Sequence, residues 1–265
     1  MVDAPNPPAH PTPSSTLPLL LHRPRPWRIA HRGAPTLAPE NTLPSFAKAL
    51  EFGVDLIELD VQMTRDGHIV VLHDATVDRT TDGHGPVASL TLAEVQRLDA
   101  GAHFGENYRG TRIPTLAEVL DLCRGRAGLN IELKSSYLLQ PGFEEAVLQV
   151  IEASQFDQPL LFSSFEHYAL RRMAQLAPAI PRGVLYTANP GPAAWQAMTE
   201  FAQAQFLHPL ELFISPELIA LAHTADLGVI AWTVDDPHRL QTLADWGVDG
   251  LISNRPDRLA AVRQV

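Results

Sequence analysis

Glu58 and Asp60 stand two residues apart in the run LIELDVQM, where Leu56, Glu58 and Asp60 alternate with Ile57, Leu59 and Val61. A period of two is the signature of a strand, so both carboxylates share one face. A third carboxylate, Glu132, lies in a second apolar run, GLNIEL, and Lys134 follows two residues later on the same face. Three carboxylates from two adjacent strands suit a divalent cation with oxygen ligands, Mg²⁺ or Ca²⁺; zinc would call for more histidine or cysteine. The alternative is an ion network without metal, in which the same carboxylates pair with Arg32 and Lys134. Three negative charges against two positive ones would then have to be relieved by protonation.

Two histidines accompany this cluster. His31 ends the apolar run RIAH, and His73 ends the run that begins at His68. Asp66-Gly67 between the runs predicts a two-residue hairpin turn. Counting back from it pairs Arg65 with His68, Gln62 with Val71 and Asp60 with His73, which sets an imidazole across from a carboxylate. An imidazole titrates near ~6.5 and so can take or give a proton near neutrality. Arg32 offers a planar fork matched to phosphate oxygens, and Lys134 a point charge. Carboxylates, cations and two proton carriers fit displacement at phosphorus, with the growing charge held by Arg32, Lys134 and a metal. No nucleophile elbow and no phosphate-binding glycine loop is present, which disfavours acyl transfer and nucleotide triphosphates. The remaining histidines read as surface or hydrogen-bonded groups, with His103 and His208 intermediate. His208 precedes Pro209 at a strand end, where it could line a pocket.

Residues of this kind must be positioned by a scaffold, and the chain supplies one. Strands are predicted at 28–31, 55–60, 128–133, 159–163, 182–186, 204–208, 228–233 and 249–252, with helices at 42–52, 114–124, 142–153, 166–176, 192–201, 215–224, 236–246 and 256–263. The alternation predicts an α/β fold, an eight-stranded (β/α)8 TIM barrel. The strand at 69–72 is surplus to that count and antiparallel to its neighbour. It belongs to an insertion over about 61–113, with a short helix near 91–98, on the carboxyl-end face where barrels keep their chemistry.

The chain of 265 residues, 45% hydrophobic, has room for one large core. A formal charge of −10 argues against a nucleic-acid partner and requires that an anionic substrate meet local cations. Residues 1–26 hold eight prolines and read as a flexible leader ahead of the 27–265 domain. LPLLL at 17–21 is too short for a secretory core, and no run reaches membrane-spanning length, so a cytoplasmic location is expected. Cys123 lies in an apolar helical stretch and reads as core.

Taken in order, HRG at 31–33, PENT at 39–42, the run from Ile57 through LHD, DRTT at 78–81, GTRIPTLAEVL, NIELK at 130–134 and AWTVD at 231–235 resemble the glycerophosphodiester phosphodiesterase family, from about residue 28 to 258. The resemblance implies a barrel with a small insertion after the second strand. It implies metal ligation by Glu58, Asp60 and Glu132, acid and base roles for His31 and His73, phosphate contacts from Arg32 and Lys134, and a substrate site lined by Asn41 and Trp232. It also implies a glycerophosphodiester as small-molecule substrate, cleaved to sn-glycerol 3-phosphate and an alcohol. Which histidine is acid, and whether water or the substrate's vicinal hydroxyl attacks, stay open at this point. So do two neighbouring readings, a lysophospholipid or phosphoinositide phosphodiesterase and a catalytically silent phosphate-binding barrel. At Ser253-Asn254-Arg255-Pro256 the sequence departs from relatives that often carry Thr-Asp before the proline, and no role is assigned there.

Overall fold

Eight strands run parallel and close on themselves in the computed structural model, which describes residues 24–136 and 138–264. In chain order the elements are β1 (Trp27–His31), α1 (Leu43–Glu51), β2 (Leu56–Met63), β3 (Ile69–Val71), α2 (Leu92–Val95), α3 (Leu116–Cys123), β4 (Gly128–Leu133), α4 (Phe143–Ser154) and β5 (Leu160–Ser164). They continue with α5 (His167–Leu176), β6 (Arg182–Tyr186), α6 (Pro192–Ala202), β7 (Phe206–Pro209), α7 (Pro216–Thr224), β8 (Gly228–Ala231), α8 (Pro237–Asp245), β9 (Gly250–Ser253) and α9 (Pro256–Leu259). β1 pairs with β9 on one side and β2 on the other, which closes the barrel, and β3 lies antiparallel on β2. The expected TIM barrel with an arm after its second strand is therefore the fold. The proline-rich leader expected over 1–26 lies, up to residue 23, outside the described residues.

Each strand presents one face to the barrel axis and the other to the helices. Ile57, Leu59 and Val61 of β2 join the large core between sheet and helices, whereas Leu56 joins Trp27, Ile29, Leu161, Phe206, Ile230 and Ile252 in a separate apolar plug inside the barrel. The helices are set by local chemistry. Thr115 and Glu118 form a reciprocal capping box that starts α3, Thr42 caps α1, and Gly53, at φ +65°, follows the end of α1. The insertion helix, expected near 91–98, spans only Leu92–Val95, and two barrel elements are also clearly shorter than their sequence patterns. β8 stops at Ala231, beyond which Trp232 keeps a single bridge to Leu210, and the final helix is one turn because Ala261 and Val262 bond three residues back.

The hairpin corrects the predicted register by one residue. Val61 faces Val71, Gln62 faces Val70 and Met63 faces Ile69, so Asp60 lies across from Leu72, not His73. The reason is the turn. Thr64 and His68 close a three-residue loop in which Gly67, at φ +85°, alone takes the left-handed conformation, whereas a two-residue turn would need it twice. On β3, Ile69 and Val71 pack into the main core, while Val70 and, just past the strand, Leu72 pack with Val77, Val87, Val95, Ala100 and Ile113. The insertion thus has a small core of its own, joined to the barrel through one strand.

Candidate active site

The inward face of β2 changes character within one turn of the pleat, from Leu56 in the apolar plug to Glu58 and Asp60 near the carboxyl end. Register places Asp60 beside Glu132 of β4. Oxygens of Glu58, Asp60 and Glu132 lie within 4.8 Å of one another, and all three residues are buried. His31 comes from the end of β1, level with Glu58, and its Nε2 is 3.9 Å from Glu58 Oε2. His73 reaches the same cavity despite the corrected register, because β3 ends at Val71 and the chain leaves the sheet before His73. His31, Arg32, Glu58, His73 and Glu132 line the polar side of that cavity, while Phe165, Leu185, Trp232 and Ile252 line the apolar side.

Arg32 sits at φ +52°, a left-handed conformation that costs a non-glycine residue about 1–2 kcal/mol. Surrounding bonds hold it there. Its N–H donates to Glu58 Oε2 at 3.0 Å, and its carbonyl accepts from Asn41 N–H at 3.1 Å and Ser45 Oγ at 2.9 Å. The side chain can then place Nε 3.3 Å from Asp60 Oδ2 and donate from Nη1 to Glu40 at 3.0 Å. Asn41 stands behind Asp60, donating from Nδ2 to Oδ2 at 2.7 Å. Lys134 is engaged with the carboxylates, 2.7 Å from Glu132 Oε1 and 3.5 Å from Asp60 Oδ1.

These contacts sort the three carboxylates. Burial works against the charge of Asp60, but Arg32, Lys134 and His73 outweigh it and hold the group below the ordinary aspartate range. Glu58 is pushed well above its ordinary value by burial and by the neighbouring charges of Asp60 and Glu132. Burial and Asp60 together raise Glu132 to about 7. Both shifts favour protonation, the direction in which excess negative charge is relieved. Glu58 Oε1 and Asp60 Oδ1 are buried and accept no hydrogen bond. Converging carboxylate oxygens that accept no hydrogen bond, one of them facing only the Lys134 ammonium at 3.5 Å, are a donor set a hard divalent cation takes, so the residues present fit such an ion.

His31 Nδ1 lies 2.6 Å from Asn254 Oδ1. The amide is oriented by Asp235, whose carboxylate can only accept, and does so from Asn254 Nδ2 and N, both at 2.8 Å. Asn254 therefore offers oxygen to His31, Nδ1 carries the hydrogen, and Nε2 turns its lone pair to the cavity. Burial first, and the Arg32 charge second, lower His31 to about 4. His73 Nδ1 lies 2.6 Å from Asp74 Oδ1, and Asp74 is in turn gripped by Arg79. Trp232 donates from Nε1 to the His208 carbonyl at 2.7 Å and packs edge-on against Phe165, ring centroids 5.5 Å apart.

His208 itself is fully buried inside the barrel and does not line the cavity. Its ring occupies the space that a Cβ at Gly183 would need, 2.2 Å from Nε2, so glycine is required at that position. A larger cavity, about 310 Å³, opens at the amino ends of the strands beside Asp249, whose carboxylate is already bonded by Arg25, His223 and the Val229 N–H. Among the described residues it gathers no comparable trio of converging ligand atoms.

The family model described as the glycerophosphoryl diester phosphodiesterase family matches residues 31–258, a span that holds every residue of this constellation. The chain belongs to that family. Its relatives include a glycerophosphodiester phosphodiesterase of Caldanaerobacter subterraneus, 44% identical over 87% of this chain and 95% of the relative. Among solved structures, an Oleispira antarctica phosphodiesterase in complex with the product sn-glycerol-3-phosphate superposes with a TM-score of 0.83 at 36% identity, covering 88% of this chain and 95% of that one. A glycerophosphodiester phosphodiesterase from Agrobacterium tumefaciens superposes with a TM-score of 0.78 at 31% identity over 89% and 99% of the two chains.

Sequence reasoning about this glycerophosphoryl diester phosphodiesterase family member missed Asn254 and Asp235 behind His31, and Glu40, Asp74 and Arg79 around His73 and Arg32. Four of the five stand inside motifs that were legible, PENT, LHD, DRTT and AWTVD. What could not be read was the pairing of Glu40 with Arg79 across 39 positions.

Proposed function

We propose that this protein hydrolyses glycerophosphodiesters to sn-glycerol 3-phosphate and an alcohol, with a divalent cation, Mg²⁺ or Ca²⁺, held by Glu58, Asp60 and Glu132 and with His31 and His73 as proton carriers. The observation that carries this reading is the convergence of Glu58, Glu132, both histidines and Arg32 on one cavity at the carboxyl ends of the strands, with the buried Asp60 close behind the two glutamates. When bound, the cation supplies positive charge against the phosphate oxygens. Arg32 directs its guanidinium to the same place, and Asn41 fixes Asp60 from behind. Lys134, bonded to Glu132 and Asp60, balances their charge and adds a further cation on the side where the phosphate is held.

His31, neutral because of its burial and with Nε2 free, takes the proton from the nucleophile. His73 gives one to the departing alkoxide, and Trp232 walls the alcohol side. If the substrate's vicinal hydroxyl attacks first, the two histidines exchange roles when the cyclic product is opened. A substrate analogue without that hydroxyl separates the routes, since normal turnover excludes the cyclic one.

Release of glycerol 3-phosphate from glycerophosphocholine, with and without chelator and then with Mg²⁺ or Ca²⁺ returned, tests the whole reading. Release that stops and returns with one ion is expected. Turnover indifferent to exhaustive chelation would remove the cation, and no release under any ion would favour a silent phosphate-binding barrel. A second reading, lysophospholipid as substrate, is favoured by apolar residues at the mouth. Phe165 is 43% exposed against Trp232, and Leu212, 72% exposed, is two residues from the Leu210 that bridges to Trp232. A kcat/KM higher for a lysophospholipid than for glycerophosphocholine, and reduced by Leu212→Ser, would establish it.

A further inference from the structure

Four charged side chains outside the trio form a continuous chain between the two halves of the site. His73 Nδ1 is 2.6 Å from Asp74 Oδ1. Arg79 grips Asp74 with Nε at 2.6 Å and Nη2 at 3.2 Å, and at the same time grips Glu40 with Nη2 at 2.7 Å and Nη1 at 3.0 Å. Glu40 Oε1 also accepts from Arg32 Nη1 at 3.0 Å, and Arg32 continues to Asp60. One guanidinium therefore serves two carboxylates, each of which holds a different side chain of the site. The placement is not local. Asp74 and Arg79 belong to the insertion, whereas Glu40 and Arg32 belong to the loop between β1 and α1.

Resting on the phosphodiesterase reading above, we propose that Arg79 is a positioning residue that couples His73 to Arg32 through Asp74 and Glu40. Asp74 is the group that sets the ring. An ionised carboxylate only accepts, so His73 must carry its hydrogen on Nδ1 and leave Nε2 to the cavity. Asp74 is kept ionised because Arg79, first of all, holds it at about 2. Glu40 does the corresponding work for Arg32, whose long side chain would otherwise be free to fold wholly onto Asp60. A half-exposed ion pair standing alone would contribute little. Arg79 differs because its planar fork fixes two anions at once, a geometry an ammonium cannot reproduce. Orientation of the proton carrier and of the phosphate clamp are then one structural event.

The coupling has a signature that simple loss of structure does not share. Glu40 is bonded to Arg32 and Arg79 and not to His73. Glu40→Gln should nevertheless shift the His73 ring nitrogen resonances in the otherwise native protein, and leave them in place in an Arg79→Met background. In turnover, Arg79→Met should lower kcat/KM roughly tenfold, with kcat and KM both changed, and Arg79→Lys should recover only a minor part. The effects of Asp74→Asn and Glu40→Gln should be non-additive with Arg79 present and multiply independently without it. His73 resonances indifferent to Glu40→Gln in the native background, or independent effects with Arg79 present, would overturn the proposal. Absence of diester turnover in the native protein would instead refute the functional reading, while the resonance measurement would still decide the coupling.

Discussion

The barrel interior holds two regions built from the same strands and opposite in chemistry. At the amino ends Trp27, Ile29, Leu56, Leu161, Phe206, Ile230 and Ile252 form a dry plug, with Trp27 and Phe206 edge-to-face at 5.5 Å. One or two inward positions further along, Glu58, Asp60, Glu132 and His31 replace apolar residues, and burial that stabilises the plug becomes a cost. The plug leaves one polar group, the Trp27 indole N–H, without a partner, whereas the mouth pushes Glu58 and Glu132 toward protonation and leaves an oxygen each of Glu58 and Asp60 without a hydrogen bond. A rigid floor lets the mouth keep an arrangement that is unstable by itself.

The comparison breaks most visibly if the histidines prove dispensable. His31→Ala or His73→Ala should each reduce diester turnover by about two to four orders of magnitude. Calorimetry should show cation binding largely intact in both, and near-normal turnover would dissolve the proton-carrier assignment. The floor should respond in the reverse manner. Leu161→Ala removes a fully buried side chain of the plug and should cost about 2–5 kcal/mol in denaturant unfolding while the folded fraction keeps its turnover.

A pH series sharpens the contrast. Because Glu132 is raised from its ordinary value to about 7, its contribution to stability is complete below about 4.5 and is lost as pH rises through about 7. Measured against Glu132→Gln, so that the opposing contributions of the buried His31 and His208 cancel, the cation-free protein should lose up to ~3 kcal/mol of stability between pH 5 and pH 8, and a saturating divalent cation should offset the loss. A stability difference from Glu132→Gln that does not fall across this range without cation would contradict the charge assignment. The smallest effect is Glu58→Gln. It should weaken cation affinity, yet leave the cation-free protein as stable as the native one or slightly more so, because the amide stays neutral where burial and the neighbouring carboxylates already disfavour charge.

Much of this was legible in the sequence because period-two alternation and capping residues are local. Eight strands and their helices lie within a few residues of where the pattern sets them, and the trio follows from strand register alone. The hairpin was misread by one residue because Asp-Gly serves both a two-residue turn and a three-residue loop with one left-handed glycine, and the dipeptide does not distinguish them. Asn254 was passed over because an amide stood where relatives often carry a carboxylate. The geometry needs only an acceptor there for His31, and an amide held by Asp235 provides it. Glu40, Asp74 and Arg79 depend on distance in space, which no local period encodes.

β1 pairs with β2 only as far as Glu58, while β2 runs on to Met63, and from Val61 the vacated side of β2 is taken by β3. An unpaired stretch of backbone there would be a template for another chain, lying next to the residues least able to tolerate intrusion. The arm occupies it, and Val70 bridges onward to Thr115, so the hydrogen-bonding row ends against the barrel's own polypeptide. The insertion is in this sense a selvedge, a finished border that keeps the reaction mouth from becoming a seam between molecules.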